Sequence, residues 1–113
     1  MHEMALAQSI VELVEEHARR DAFEHVRIIR LSIGVLSHVD PRALETGLEV
    51  ASRASVAEGA RLVIERPGGQ AWCTSCNATV EIGALGDPCP RCAGYEWLVT
   101  GGNEMRVVDL EVD

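Results

Sequence analysis

Apolar residues near the start of the chain recur at helical spacing. Across residues 4–18, Leu6, Ile10, Leu13, Val14 and Ala18 fall on one stripe, with Gln8, Glu12, Glu15 and Glu16 largely outside it. This predicts a first helix, followed by a loop over residues 20–24. The pattern then changes period. Residues 26–35 (VRIIRLSIGV) alternate Ile29, Leu31 and Ile33 and predict a strand ending near Gly34. Asp40 before Pro41 reads as an N-cap with proline at the first helical position. A second helix is expected over residues 41–55, burying Leu44, Leu48 and Ala51. Beyond Gly59, residues 61–66 (RLVIER) and residues 105–112 (MRVVDLEV, with Val108, Leu110 and Val112 on one face) predict two more strands.

Composition changes after Pro67-Gly68-Gly69. Residues 70–100 hold all four cysteines and three of the four aromatics (Trp72, Tyr95 and Trp97). Gly101-Gly102-Asn103 forms a second joint before the last strand. The expected fold class is α+β, with two helices packed on a three-stranded sheet and an inserted four-cysteine zinc-ribbon module. Residues 1–69, completed by a strand over 103–113, form the first domain in this reading, and residues 70–102 the second. A chain of 113 residues is too short for two independent apolar cores. The module is poor in aliphatic residues, so metal binding is expected to supply its folding free energy.

The cysteines are Cys73-x2-Cys76 and Cys89-x2-Cys92, with twelve residues between the pairs. Each CxxC forms a tight knuckle, and two facing knuckles complete a tetrahedron of thiolates. Zinc suits four soft ligands and has no redox chemistry of its own. With four protein ligands no coordination position stays open, so the site is expected to be structural. An iron site of the rubredoxin type uses the same four thiolates, and free thiols or two disulfides are the plain alternatives.

The formal net charge is −8, and all ten basic residues are arginines. That balance disfavours nucleic acid and anionic membranes as partners, because phosphate binding needs clustered cations. No apolar run reaches the length of a membrane span, and the N-terminus lacks a basic region followed by an apolar one. The expected compartment is the cytoplasm, where disulfides are rare.

The chain opens Met1-His2-Glu3, so an imidazole stands beside an α-amine and backbone amides. Such a planar, nitrogen-rich set suits Ni²⁺ or Cu²⁺. Taken together, MHE at the start, SIGxxSxVD at 32–40, SVAEGARL at 55–62, the doubled CxxC and GNEMRVVDLEV at 102–112 resemble the HypA/HybF family. These are nickel metallochaperones of [NiFe]-hydrogenase maturation, and some members also serve urease. The resemblance spans nearly the whole chain. It implies nickel (Ni²⁺) held reversibly by the amine of Met1, by His2 and by backbone nitrogen including that of Glu3. It also implies zinc (Zn²⁺) on Cys73, Cys76, Cys89 and Cys92. The partners it implies are a HypB-type nickel GTPase and the hydrogenase large-subunit precursor. Asp40 matches an acidic position that lies near nickel in some members, and His38, two residues away, is a spare candidate neighbour. Some members carry a histidine directly after the second cysteine of each pair, where this chain has Asn77 and Ala93, so a pH switch built on those histidines is not expected.

Two further classes stand beside the carrier. A zinc-ribbon adaptor with no transported metal predicts that loss of His2 leaves all metal binding intact. A zinc enzyme needs an open coordination position and a general base. The sequence shows neither, nor a catalytic triad or phosphate loop, so no enzymatic activity is expected.

Overall fold

In the computed structural model, which describes residues 3–113, the first apolar stripe becomes helix α1 (Glu3–Asp21). Its buried side chains are Ala7, Ile10, Val11, Val14 and Ala18. Leu13, expected on that stripe, is 40% exposed, and Leu6 is half-buried. The cause is the neighbouring helix. Helix α2 (Pro41–Ala51) packs on α1, and a Cβ built on its Gly47 would lie 3.3 Å from the Cβ of Ala7. At so close an approach small residues take the contact line, and the leucines are turned to its flanks.

Asp40 caps α2 as expected. Its carboxylate accepts from the backbone N–H of Arg42 at 3.0 Å and of Ala43 at 3.4 Å, with Pro41 opening the helix. The helix ends at Ala51, short of the expected 55, and Ala51 itself is only half-buried. Ala54 takes a left-handed φ of 61°, which no continuing helix can contain. Successive turns then carry the chain onward, with Ser55 N–H donating to Ser52 and Glu58 N–H to Ser55.

The strands β1 (Val26–Ile33), β2 (Arg61–Glu65) and β6 (Met105–Val112) form the expected three-stranded sheet, in the order β2-β1-β6. Charged pairs lace β1 to β6. Arg27 bonds Glu111 and reaches Asp113 at 3.1 Å, while Arg30 reaches Asp109 at 2.8 Å and Glu111 at 3.0 Å. The numbering falls on one strand as it rises on the other, so the two run antiparallel.

A second sheet, β3 (Gly69–Cys73), β4 (Ala78–Ile82) and β5 (Trp97–Gly101), runs in the order β4-β3-β5, antiparallel throughout. Its core is Leu36, Ala71, Cys73, Val80, Ile82 and Cys89, with Val35, Trp97 and Val99 packed against it. Leu36 comes from the loop after β1, which ends at Ile33 and not at Val35. By contact, the chain divides into one unit of residues through Leu31 with Val39–Ile64 and Val107–Asp113, and another of Ser32–His38 with Glu65–Arg106. Within the second unit three backbone segments are bonded side by side: Gly34 N–H to Glu104, Val35 N–H to Pro67 and Leu36 N–H to Gly102. A Cβ on Gly34 would stand 2.0 Å from the Gly102 carbonyl oxygen, so only glycine fits there.

The corrected stripe can be checked by stability. Leu44 is fully buried, and Leu44→Ala is expected to cost ~2–5 kcal/mol through lost burial and a cavity. Leu13→Ala is expected to cost less than ~1 kcal/mol. Thermal unfolding followed by helical circular dichroism separates the two, and equal losses would restore Leu13 to the core.

Candidate metal centre

The first knuckle forms where β3 runs out. Cys73 closes that strand, Thr74 and Ser75 turn the chain, and Cys76 precedes β4. Thr74 anchors the turn, donating from both its N–H (2.9 Å) and its hydroxyl (3.0 Å) to the Glu96 carbonyl. The second knuckle lies between β4 and β5. There Cys89 N–H donates to Gly94 at 2.7 Å, and Ala93 N–H returns to the Cys89 carbonyl at 2.8 Å. Both knuckles close alike, because Asn77 (φ 52°) and Ala93 (φ 61°) are left-handed directly after the second cysteine of each pair. Asparagine adopts that conformation readily, whereas for alanine it costs ~1–2 kcal/mol.

The result is one cluster. The Sγ atoms of Cys73 and Cys92 are 3.7 Å apart and those of Cys76 and Cys89 are 3.9 Å apart. All four sulfurs lie within 4.8 Å of one another. A tetrahedral ion with Zn–S bonds of about 2.3 Å sets its sulfurs about 3.8 Å apart, so the cage fits Zn²⁺. No pair is bonded as a disulfide. Cys73 and Cys89 are buried, Cys76 is half-buried and Cys92 is exposed.

Backbone donors pre-set part of the charge. Cys76 N–H points to the Cys73 sulfur and Arg91 N–H to the Cys89 sulfur, each at 3.4 Å. N–H groups of Cys92 and Arg91 together hold the Cys89 thiol down to about 7, against opposing desolvation. Cys76 behaves oppositely: desolvation, then hydrogen bonds among the thiols, push it up to about 12. A metal ion entering this cage must therefore displace protons, and its apparent affinity rises with pH.

The aromatics divide. Trp97 packs on the core and donates its Nε1–H to the Asp87 carbonyl at 3.0 Å. Trp72 lies directly opposite Leu98 on the outer face of the sheet, and Tyr95 is exposed. Of the other proposed ligands, Met1 and His2 lie outside the described residues. Glu3 heads α1 and is half-buried. Asp40 and His38 are exposed, with the Asp40 carboxylate engaged in its cap. Among the described residues the four cysteines are the one group of three or more metal-ligating side chains brought together. The supporting residues Leu36, Thr74 and Asn77 escaped the sequence reading. Only the asparagine after CxxC, a residue tolerant of left-handed backbone, carried a local signal.

A two-helix α+β unit joined to a thiolate ribbon defines the class: a small metal-binding protein of the zinc-ribbon kind. Comparison with known proteins narrows it to a family. Residues 1–112 match the family described as hydrogenase/urease nickel incorporation, metallochaperone, HypA, and the chain belongs to that family. It is 50% identical to hydrogenase maturation factor HypA 2 of Bradyrhizobium diazoefficiens over 113 residues, the full length of both. It is 46% identical to hydrogenase maturation factor HypA of Polaromonas naphthalenivorans, covering 99% of this chain and 97% of that one. Its fold is similar to the solution structure of the Ni metallochaperone HypA from Helicobacter pylori, with a TM-score of 0.70 and 28% identity over 99% and 97% of the two chains.

Both tryptophans lie in the ribbon unit and both helices in the other. Stripping metal with a strong chelator is therefore expected to abolish the near-ultraviolet dichroism of Trp97 while most helical signal persists. A tryptophan environment indifferent to the chelator would mean that the ribbon core stands without metal.

Proposed function

We propose that this protein is a non-enzymatic nickel carrier that loads Ni²⁺ at its N-terminus and releases it for [NiFe]-hydrogenase maturation, with service to urease as a second outlet. The observation that carries this reading is the family match over residues 1–112, which takes in His2 and all four cysteines. The nickel donors are the α-amine of Met1, the imidazole of His2 and backbone nitrogen including that of Glu3. Asp40 and His38 are the accessory candidates. Zn²⁺ on Cys73, Cys76, Cys89 and Cys92 is structural in this reading, because four protein thiolates leave no open position. Residues 1–69 with 103–113 carry nickel, and residues 70–102 carry zinc. Nickel passes between a HypB-type GTPase and the hydrogenase large-subunit precursor, in the cytoplasm, with neither nucleic acid nor membrane as a partner.

Packing supports a defined starting point for the nickel ligands. Gly47 of α2 lies against the first turn of α1, and a Cβ there would come within 3.5 Å of the Glu3 carbonyl oxygen. The helix that follows the donor residues is thus held against its neighbour. Release follows from the donor chemistry. Amine and imidazole nitrogens take up protons in competition with the metal, so nickel binding weakens as pH falls through the imidazole range.

The test is a nickel titration of protein with its native N-terminus, beside His2→Ala and a form carrying an N-terminal extension, with zinc measured in all three. The expected outcome is one zinc throughout and nickel binding only in the native form. Nickel affinity retained by the extended form, or unchanged between neutral and mildly acid pH, would overturn the N-terminal site.

A further inference from the structure

In the sheet β2-β1-β6, strand β6 is an edge: among the described residues β1 is its one neighbour. Asp113 N–H donates to His25 across that pairing, so antiparallel alternation turns the N–H and C=O of Leu110 and Val112 to the open side. The strand is eight residues long, and every second residue turns its backbone groups to that side. Beside it, within the same unit, runs a groove of about 640 Å³ between α1 and β6. Its apolar lining includes Leu13, Phe23, Leu110 and Val112, of which Leu13 is 40% and Val112 37% exposed. This also accounts for Leu13, which the packing of α1 on α2 leaves out of the core.

Two features identify the occupant. Unpaired ladder groups next to an apolar trough suit an extended strand, whose backbone completes the ladder while alternate side chains enter the groove. The groove's ionisable lining is also mostly acidic: Asp21, Asp109 and Asp113 line it, with His17 as the one basic group and neither Arg nor Lys. Glu16, one turn along α1 from Leu13, has no ion partner among the described residues. The three lining carboxylates already have partners, Asp21 in Arg20, Asp109 in Arg30, and Asp113 in Arg27 and His25. A further cation therefore shares charge and steers approach, and the groove and ladder supply most of the hold. A second copy of this chain would bring the same carboxylates against these and is disfavoured.

We infer that the open edge of β6 with the α1–β6 groove is a docking site for a basic amphipathic strand of a partner protein, with apolar residues at alternate positions and Lys or Arg between them. The site adds β-augmentation by a cationic segment to what the metal centres do, and it does not depend on which metal the chain carries.

The test uses the zinc-loaded, full-length chain and a short capped peptide of strictly alternating leucine and lysine. Binding is measured by calorimetry, and amide protection by hydrogen exchange. The expected result is saturable binding, with new protection at the outward amides of Leu110 and Val112. Leu13→Glu should weaken it at least about tenfold, whereas Leu98→Glu, on the other sheet, should leave it unchanged. The same peptide N-methylated along one edge, which removes donors but keeps charge and side chains, should lose binding by a similar factor. Four results would overturn the proposal: equal binding of the N-methylated peptide, equal binding of an alternating leucine–glutamate peptide, protection confined to other strands, or concentration-dependent dimerisation of the chain that excludes the peptide.

Discussion

Two of the six side chains that fill the ribbon core, Cys73 and Cys89, are themselves members of the sulfur cage. Metal ligation and hydrophobic packing are therefore one constraint in this unit. An ion that draws the four sulfurs together also sets the spacing of β3 against the second knuckle. The aliphatic neighbours Leu36, Ala71, Val80 and Ile82 then pack on a surface that ligation has already fixed. Such a small core cannot offset the conformational entropy of the roughly fifty residues of this unit by burial alone. The dependence also runs the other way: a desolvated thiol such as Cys76, pushed up to about 12, loses its proton to water readily only when a metal ion takes the proton's place on sulfur.

Leu36 extends this constraint beyond the cysteine segment. It belongs by sequence to the connection between β1 and α2, yet its side chain completes the ribbon core. Three backbone hydrogen bonds align Gly34–Leu36 with the chain entering and leaving the ribbon, and the contact of Gly34 with the Gly102 carbonyl leaves no room for a side chain. The chain thus enters the ribbon unit twice, and within that unit Gly34–Leu36 is paired with the backbone at Pro67 and at Gly102–Glu104.

What could be read in advance follows the range of the interaction concerned. The elements, the cap at Asp40 and the cysteine cage rest on local periodicity, on a dipeptide and on a doubled spacing, all written in consecutive residues. The errors concern long-range contacts. Leu6 and Leu13 are as apolar as the residues that displaced them, and only the closeness of Gly47 to Ala7 shows why smaller side chains face α2. Val35-Leu36 extends an apolar run and so reads as the end of a strand, when it is the start of a second core. Ala54 and Ala93 adopt left-handed backbone usually given to glycine or asparagine, so neither the early end of α2 nor the closure of the second knuckle had a sequence signal. For the proposed nickel ligands, motif and family carry the reading, since Met1 and His2 lie outside the described residues.

The proposed reading places both metals in one small chain, which raises a selectivity problem, because thiolates bind nickel as well as zinc. The cage answers it through geometry. Its sulfurs are held at separations of 3.7 and 3.9 Å by two knuckles on a three-stranded sheet, with backbone N–H groups directed at Cys73 and Cys89. That arrangement fits a tetrahedral ion, whereas Ni²⁺ gains most from nitrogen donors in a plane. Reaching a planar sulfur set would require breaking the turns at Thr74 and Ala93 and the core that Cys73 and Cys89 help to fill. In the proposed reading the ribbon's rigidity is therefore what leaves nickel to the N-terminal nitrogens, from which protonation can release it.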